Sequence, residues 1–142
     1  MKLHYVVKEG EKGTPSGPRN VALFIHGFPD SFLLWKNLLK ASTLESYVLI
    51  AVDLPGYGGS DNPKEFSAND ILEAMAEFIL NMREKYLQTE AKMVVVSHDW
   101  GAIVSARLAS EAAQLADHWI IAGALIVSYS PPIPSTSDSI NY

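Results

Sequence analysis

Runs of consecutive apolar residues alternate with polar, glycine-containing segments along this chain. The four clearest runs occupy residues 21–25, 47–52, 93–97 and 119–127, and a shorter one lies at residues 3–7. Apolar residues without alternation are typical of strands buried on both faces of a parallel sheet. We therefore predict strands at these positions, although the run at 119–127 also fits a short buried helix.

Helical spacing appears between the predicted strands. Ser67 begins a Ser-x-x-Asp capping box with Asp70, and the apolar residues that follow fall on one helix face: Ile71, Met75, Phe78, Ile79, Met82 and Tyr86. An earlier helix, capped by Asp30 or Ser31, would carry a second apolar face formed by Leu34, Trp35, Leu38 and Leu39. A third helix is predicted over residues 101–111, where small residues allow close packing on a sheet.

Strands that alternate with helices in this order predict an α/β fold with a mostly parallel sheet. In such sheets the functional site lies at the carboxyl ends of the strands. Polar or glycine-rich loops follow three of the predicted strands directly, at residues 26–29, 53–60 and 97–101. We therefore expect these loops to gather at one edge of the sheet.

Composition narrows the classes of function. The chain has 142 residues, a formal net charge of −5 and no cysteine. An acidic chain is a poor match for nucleic acid or an anionic membrane, since both attract a basic face. The absence of cysteine excludes disulfides, thiolate catalysis and cysteine zinc sites. No run approaches the ~20 apolar residues of a membrane span, and no secretory signal is visible, so a cytoplasmic location is expected.

The pattern of residues 94–102 predicts a strand, a sharp turn and the start of a helix, with Asp99 at the apex of the turn. A nucleophile on such an elbow needs small residues two positions to either side, because the backbone there is strained and tightly packed. Ser97 and Gly101 meet this need. The helix that begins near Trp100 directs its free amides and positive dipole end to the site. We therefore predict that Asp99 is a carboxylate nucleophile able to form an ester at an sp³ carbon.

The ester would be hydrolysed through a tetrahedral oxyanion, which requires hydrogen-bond donors. The backbone amides of Phe28 and Trp100 are the natural pair. Gly27 allows the backbone to approach closely, Pro29 stiffens the loop, and His26 is interpreted as a structural residue that hydrogen-bonds within it.

Three motifs together resemble the α/β-hydrolase fold family, and most closely its epoxide hydrolase and haloalkane dehalogenase branch. They are His26-Gly27-Phe28-Pro29, the segment Asp53-x-x-Gly56-x-Gly58-x-Ser60, and Ser97-His98-Asp99-Trp100-Gly101. The resemblance implies that Asp99 is the nucleophile, that Phe28 and Trp100 line the oxyanion hole, and that the loop after Asp53 is structural. The aromatic residue at position 28 favours the epoxide hydrolase side, and a haloalkane dehalogenase-like hydrolase is an alternative.

The resemblance also implies parts that we do not find. In this family a late histidine activates water, a late acid orients that histidine, and cap-domain tyrosines polarise the epoxide oxygen. None of His4, His26, His98 and His118 fits the base position, and Asp138 matches the acid only weakly. We therefore expect an amino-terminal hydrolase portion at residues 1–130 and a Pro/Ser-rich tail at 131–142 that starts the connection to a cap. The sheet would be incomplete, and the chain alone inactive or nearly so.

Several further expectations follow. The partner would be a small hydrophobic molecule such as an epoxide, and the exposed edge of the sheet would permit self-association. An interaction protein built on the same half-fold, without catalysis, is the alternative from a different class. No cofactor or metal is expected: no spacing suits a zinc site, and Gly56-x-Gly58 lacks the third glycine of a dinucleotide loop, since position 61 is Asp61.

Overall fold

The computed structural model describes residues 1–10 and 17–123. Five strands lie in this part of the chain: β1 (Tyr5–Lys8), β2 (Val21–Ile25), β3 (Val48–Val52), β4 (Met93–His98) and β5 (His118–Ala122). The α-helices are α1 (Lys36–Leu39), α2 (Ala68–Tyr86) and α3 (Trp100–Glu111). Short 3₁₀ turns lie at Phe32–Trp35, Ser42–Leu44 and Ala113–Leu115.

The strands form one sheet in the order β1-β3-β2-β4-β5. The neighbours β3, β2, β4 and β5 run parallel, and β1 pairs antiparallel with β3. The predicted mostly parallel α/β sheet is thus confirmed. Ile25 lies opposite Val52 and Ser97 in the register, so the loops that follow β2, β3 and β4 meet at one edge.

The core lies on both faces of this sheet. All residues of β2 and β3 are buried, as expected for central strands covered on two sides. One face packs against the predicted apolar stripe of α2, in which Met75, Phe78, Ile79 and Met82 are buried. The opposite face packs against Trp35 and its neighbours. The helix α2 begins as predicted, because the Ser67 hydroxyl accepts a hydrogen bond from the Asp70 N–H at 3.1 Å.

Some local predictions differ from the structure. The helix expected around Leu34–Leu39 is divided into the turn Phe32–Trp35 and the single helical turn α1. Of its predicted apolar face only Trp35 is buried, while Leu34 and Leu38 are 39% and 40% exposed. The run that begins at Trp119 is a strand rather than a helix in its described part. Its remainder at 124–127, the tail at 131–142 and Asp138 lie outside the described residues.

No helix in the described ranges is both long and apolar enough to cross a bilayer.

Candidate active site

The loops after β2, β3 and β4 come together at the carboxyl edge of the sheet, as predicted. The N–H of Phe28 donates to Oδ1 of Asp99 at 2.9 Å. The N–H of Leu54 donates to Nε2 of His26 at 3.0 Å. One hydrogen bond therefore joins the first loop to the elbow, and another joins it to the loop after β3.

Asp99 stands at the strand-to-helix turn with φ 55° and ψ −122°. Positive φ is rare for residues other than glycine and occurs mainly where surrounding structure enforces it. The backbone N–H groups of Trp100 and Phe28 hold the pKa of the Asp99 carboxyl below its ordinary value. The carboxylate is therefore ionised at neutral pH, and its Oδ1 is held by the Phe28 N–H.

Two small residues make this turn sterically feasible. The Ser97 side chain is fully buried beneath the turn and its hydroxyl donates to the carbonyl of Ile120 at 3.3 Å. A Cβ on Gly101 would lie 2.7 Å from the carbonyl oxygen of Ile25 and closer still to that of His26. Because atoms cannot approach so closely, glycine is required where α3 crosses the end of β2.

Gly27 meets a similar constraint on the opposite side of the site. A Cβ at this position would lie 2.5 Å from the Asp99 Cβ and 2.7 Å from the Trp100 nitrogen. The bare glycine backbone allows the first loop to pass directly beneath Asp99. The loop then continues through a cis peptide bond between Phe28 and Pro29. The structure thus brings together all the residues that the sequence assigned to the nucleophile, the oxyanion donors and their support.

His26 is fully buried and uses both ring nitrogens. Its Nδ1 lies 2.8 Å from the carbonyl oxygen of Gly27, and its Nε2 accepts the Leu54 N–H. A carbonyl oxygen only accepts and an amide N–H only donates. The hydrogen-bond network therefore assigns a neutral ring with its proton on Nδ1.

The Asp53 side chain organises the loop after β3, and sequence reasoning missed its partners. Oδ1 accepts the N–H of Phe32 at 2.7 Å, and Oδ2 accepts the N–H of Gly59 at 3.0 Å and contacts Nδ1 of His4 at 2.7 Å. Burial alone would raise the pKa of Asp53, but the hydrogen bonds from Gly59, Phe32 and His4 outweigh it and lower that pKa.

His4 reaches Asp53 because β1 runs antiparallel to β3. The residue before β1 therefore lies at the carboxyl edge of the parallel strands, and the Asp53 N–H donates to the carbonyl of His4 at 2.9 Å. Parallel pairing would have placed His4 at the opposite edge. The apolar pattern of the sequence does not specify whether the first strand runs parallel or antiparallel to β3. The contact between His4 and Asp53 therefore could not be predicted from that pattern.

The four histidines of the chain all fall in the described residues, and no hydrogen bond joins any of their rings to Asp99. His4 and His26 are bound as above. His118 begins β5 opposite Val94, at the amino end of the parallel strands. The His98 ring lies beside Gly123, where an added Cβ would be 3.2 Å from its Nε2.

Exposed apolar side chains surround the elbow. Phe28 is 64% exposed and Trp100 is 53% exposed. A mainly apolar cavity of about 620 Å³ runs from Trp100 along α3 towards the start of α2, lined also by Tyr57, Phe66 and Ile103. Within the described residues no group of three or more histidine or carboxylate side chains is placed to hold a metal ion.

Known proteins share this sequence and this fold. A family model described as the alpha/beta hydrolase fold matches residues 20–141. Epoxide hydrolase 3 of Mus musculus is 35% identical over 105 residues, which cover 72% of this chain and 25% of the mouse protein. Epoxide hydrolase A of Mycobacterium tuberculosis is 34% identical over 99 residues, which cover 70% of this chain and 28% of that protein.

Solved structures agree with the sequence relatives. The crystal structure of an epoxide hydrolase from Vigna radiata matches with a TM-score of 0.65 and 25% identity, covering 94% of this chain and 39% of that one. An epoxide hydrolase from Bacillus megaterium, solved with an inhibitor, matches with a TM-score of 0.63 and 25% identity, covering 84% of this chain and 38% of that one.

The sheet, the elbow and the match over residues 20–141 show that the chain belongs to the α/β-hydrolase fold family. Within that family it is epoxide hydrolase-like by homology. The chain spans 25% and 28% of the length of the two curated relatives described above.

Proposed function

We propose that Asp99 is the nucleophile of an epoxide-opening reaction that forms an alkyl ester on the protein. The observation that carries this proposal is the 2.9 Å hydrogen bond from the Phe28 N–H to Oδ1 of Asp99. Because Oδ1 accepts the Phe28 N–H, Oδ2 is the oxygen that we assign to the attack. The lowered pKa keeps the carboxylate in its reactive, ionised form.

The chemistry balances in two stages. In the first, Oδ2 forms a bond to one epoxide carbon, the ring C–O bond breaks, and the resulting alkoxide takes a proton from solvent or an acid. In the second, water adds to the ester carbonyl and the tetrahedral intermediate collapses to a diol and the Asp99 carboxylate, with release of one proton that balances the proton taken up in the first stage. Epoxide plus water thus gives diol, with no other reactant.

The same two amides would act in both stages. In the free protein the Phe28 and Trp100 N–H groups orient the Asp99 carboxylate. Once the ester exists, Oδ1 is its carbonyl oxygen, so the Phe28 donor faces the atom on which negative charge develops, and the Trp100 N–H adjoins the same carboxyl group. Removing one such donor typically slows acyl chemistry by about 10²–10³-fold.

We further propose that the 142-residue chain forms the ester but releases diol slowly or not at all. Ester hydrolysis requires an activated water, and histidine is the side chain that most often serves as its base. The rings of His4, His26 and His118 are bound elsewhere or lie at the opposite edge, and that of His98 lies beside Gly123. This is the reason to expect an intermediate that accumulates.

A small hydrophobic epoxide is the substrate class that we propose. Phe28 and Trp100 present exposed aromatic surface beside Asp99, and the adjoining cavity is mainly apolar. Burial of apolar substrate surface against these rings would contribute about 25 cal/mol for each Å² removed from water. The relatives named as epoxide hydrolases support the same class.

Incubation with styrene oxide, followed by intact-mass spectrometry and diol quantification, tests both parts of the proposal. We expect a mass increase equal to one epoxide molecule per chain and little diol. Asp99→Asn, which keeps the side-chain shape and removes its charge, should acquire no such mass. Equal labelling of the wild type and Asp99→Asn would contradict the role of Asp99, and multiple-turnover diol formation would contradict the accumulation of the ester.

Two further expectations remain predictions. A cytoplasmic location can be tested by imaging a tagged chain. The division into a hydrolase portion at 1–130 and a connecting tail at 131–142 can be tested by limited proteolysis, which should cut the tail first.

A further inference from the structure

The Gly27–Phe28 peptide group is held by hydrogen bonds at both of its polar atoms. Its N–H donates to Asp99, and its carbonyl oxygen accepts from other groups of the same loop. The Phe28 N–H and the Gly27 carbonyl lie in one planar unit. The direction of the carbonyl therefore determines the direction of the N–H. If this peptide rotated by half a turn, a carbonyl oxygen would replace the N–H opposite the Asp99 carboxylate.

Glycine offers little resistance to such a rotation, because it has no Cβ to restrict its backbone angles. Gly27 is nevertheless required by its close approach to Asp99 and Trp100. The orientation of its peptide must therefore be maintained by contacts outside the peptide itself.

Two donors hold the Gly27 carbonyl. The Asp30 N–H donates from within the same loop at 3.0 Å. Nδ1 of His26 donates at 2.8 Å from a fully buried ring. Only the histidine donor is itself fixed to another element, because its Nε2 accepts the Leu54 N–H at the end of β3. The ring also packs edge-on against Tyr57, with centroids 5.5 Å apart.

We propose that His26 is a positioning residue for the oxyanion hole: its neutral ring, protonated on Nδ1, fixes the Gly27–Phe28 peptide so that the Phe28 N–H points to Asp99. The hydrogen bonds of His26 are observed in the structure, while their role in catalysis rests on the proposed function of Asp99. His26 touches no reacting atom in this account. It acts through the peptide that it holds.

Two substitutions separate the two ends of the ring. His26→Asn keeps an N–H donor near the position of Nδ1 and loses the acceptor for Leu54. His26→Gln keeps an acceptor near the position of Nε2 and loses the donor to Gly27. Both remove the ring, so a purely structural role predicts similar effects. A positioning role predicts that only His26→Gln disturbs the Phe28 amide.

Carbon-13 NMR titration of the Asp99 carboxyl is the primary measurement. Because the Phe28 N–H helps to lower the pKa of Asp99, we expect that pKa to rise in His26→Gln and to stay at the wild-type value in His26→Asn. His118→Gln, at the opposite edge of the sheet, serves as the control. Equal pKa values in both variants, whether raised or unchanged, would overturn the proposal.

The reaction provides a second readout. The alkyl ester formed with styrene oxide can be treated with hydroxylamine, whose attack also passes through an oxyanion at Oδ1. We expect about a 100-fold slower release in His26→Gln and a change within about fivefold in His26→Asn. Release that is equally fast in all three proteins would count against the positioning role. If no ester forms in the wild type, the proposed function fails while the titration still decides the role of His26.

A measurement on the unaltered chain covers the case in which a variant fails to fold. Nitrogen-15 NMR distinguishes the protonated from the unprotonated nitrogen of a neutral imidazole. We expect His26 to carry its proton on Nδ1 at neutral pH. A proton on Nε2 instead would place two donors against each other at Leu54 and would overturn the proposal.

Discussion

Asp99 combines a demanding backbone conformation with a carboxyl group whose pKa is lowered by backbone amides. Its φ of 55° is one of two positive values found at non-glycine residues of the described chain, the other being at Glu90. Such residues persist because their surroundings enforce them, and they cluster at functional sites. Here the surroundings are the buried Ser97 side chain, the close contact at Gly101 and the hydrogen bond from the Asp99 N–H to the carbonyl of Ala122 at 3.2 Å.

The strain at Asp99 can be measured by comparing Asp99→Gly with Asp99→Ala. Both remove the carboxylate, but only glycine adopts positive φ without steric penalty. We expect Asp99→Gly to unfold at a temperature about 3 °C higher than Asp99→Ala, because the positive φ and the N-cap position of Asp99 both favour glycine over alanine. Differential scanning calorimetry is the measurement. A lower unfolding temperature for Asp99→Gly would show that the turn is not strained.

Among the elements, Asp53 connects the residue before β1, the 3₁₀ turn at Phe32–Trp35 and the loop after β3. It accepts from Phe32 and Gly59 and contacts His4 while its side chain is only 1% exposed. A buried carboxylate and its hydrogen-bond donors stabilise the folded state together. Loss of the negative charge leaves some of these buried donors without a good acceptor. The segments that form the carboxyl edge therefore depend on one side chain for their mutual placement.

We expect Asp53→Asn to lower the free energy of unfolding by about 3 kcal/mol at pH 7. The folded-state pKa of Asp53 is lowered, so its contribution is present above the unfolded-state pKa of about 3.9 and is lost as pH falls through the folded value. The difference in the free energy of unfolding between wild type and Asp53→Asn should therefore become smaller below about pH 4. Urea unfolding at several pH values measures this difference.

Asp61→Asn is the matched control for this measurement. Asp61 also accepts a backbone hydrogen bond, from the N–H of Lys2 at 2.9 Å, but in an exposed position. Its substitution should change stability by less than about 0.5 kcal/mol. If the two variants lost equal stability, the Asp53 side chain would not hold this edge together.

The elements that the sequence could predict are those with a strong local signal. Continuous apolar runs predicted β2 and β3, because both strands are buried on two faces. The apolar stripe and the Ser67 cap predicted α2. The loops met at one edge because parallel strands share a direction. The Leu34–Leu39 stripe had the same spacing but buries only Trp35 fully, with Leu39 partly buried beside it, since a single helical turn does not cover the sheet.

The contacts within the site were harder to predict. The proximity of Phe28 to Asp99 follows from the order of motifs, and the geometry places it as expected. The contact of His4 with Asp53 depends on the antiparallel direction of β1, which apolar runs do not specify. The use of both His26 nitrogens depends on where β3 ends in space, and no spacing in the sequence carries that information.

The described sheet is buried at its central strands and exposed at the edge strand β5. The edge strand β5 is paired only with β4 in the described part of the chain. Ile120 and Ile121 on this strand are 54% and 37% exposed. An apolar edge with free backbone groups is a template for pairing with another chain. This supports the sequence-based expectation of self-association, with a second copy as the partner.

We predict that the chain forms concentration-dependent dimers in gel filtration with light scattering. Ile120→Lys should shift the population to monomer, because a charged side chain on an edge strand opposes pairing. Leu80→Lys is the control, since Leu80 is 52% exposed but lies on helix α2 rather than on the edge strand. A wild type that stays monomeric at every concentration, or equal effects of the two substitutions, would contradict pairing through β5.

The residue that carries the epoxide label decides whether Asp99 is the nucleophile. After reaction with styrene oxide and digestion, tandem mass spectrometry should place the added mass on Asp99. Hydroxylamine should release it, because it cleaves an ester and leaves an alkylated imidazole intact. A label on the neighbouring His98 that resists hydroxylamine, or no label at all, would contradict Asp99 as the nucleophile.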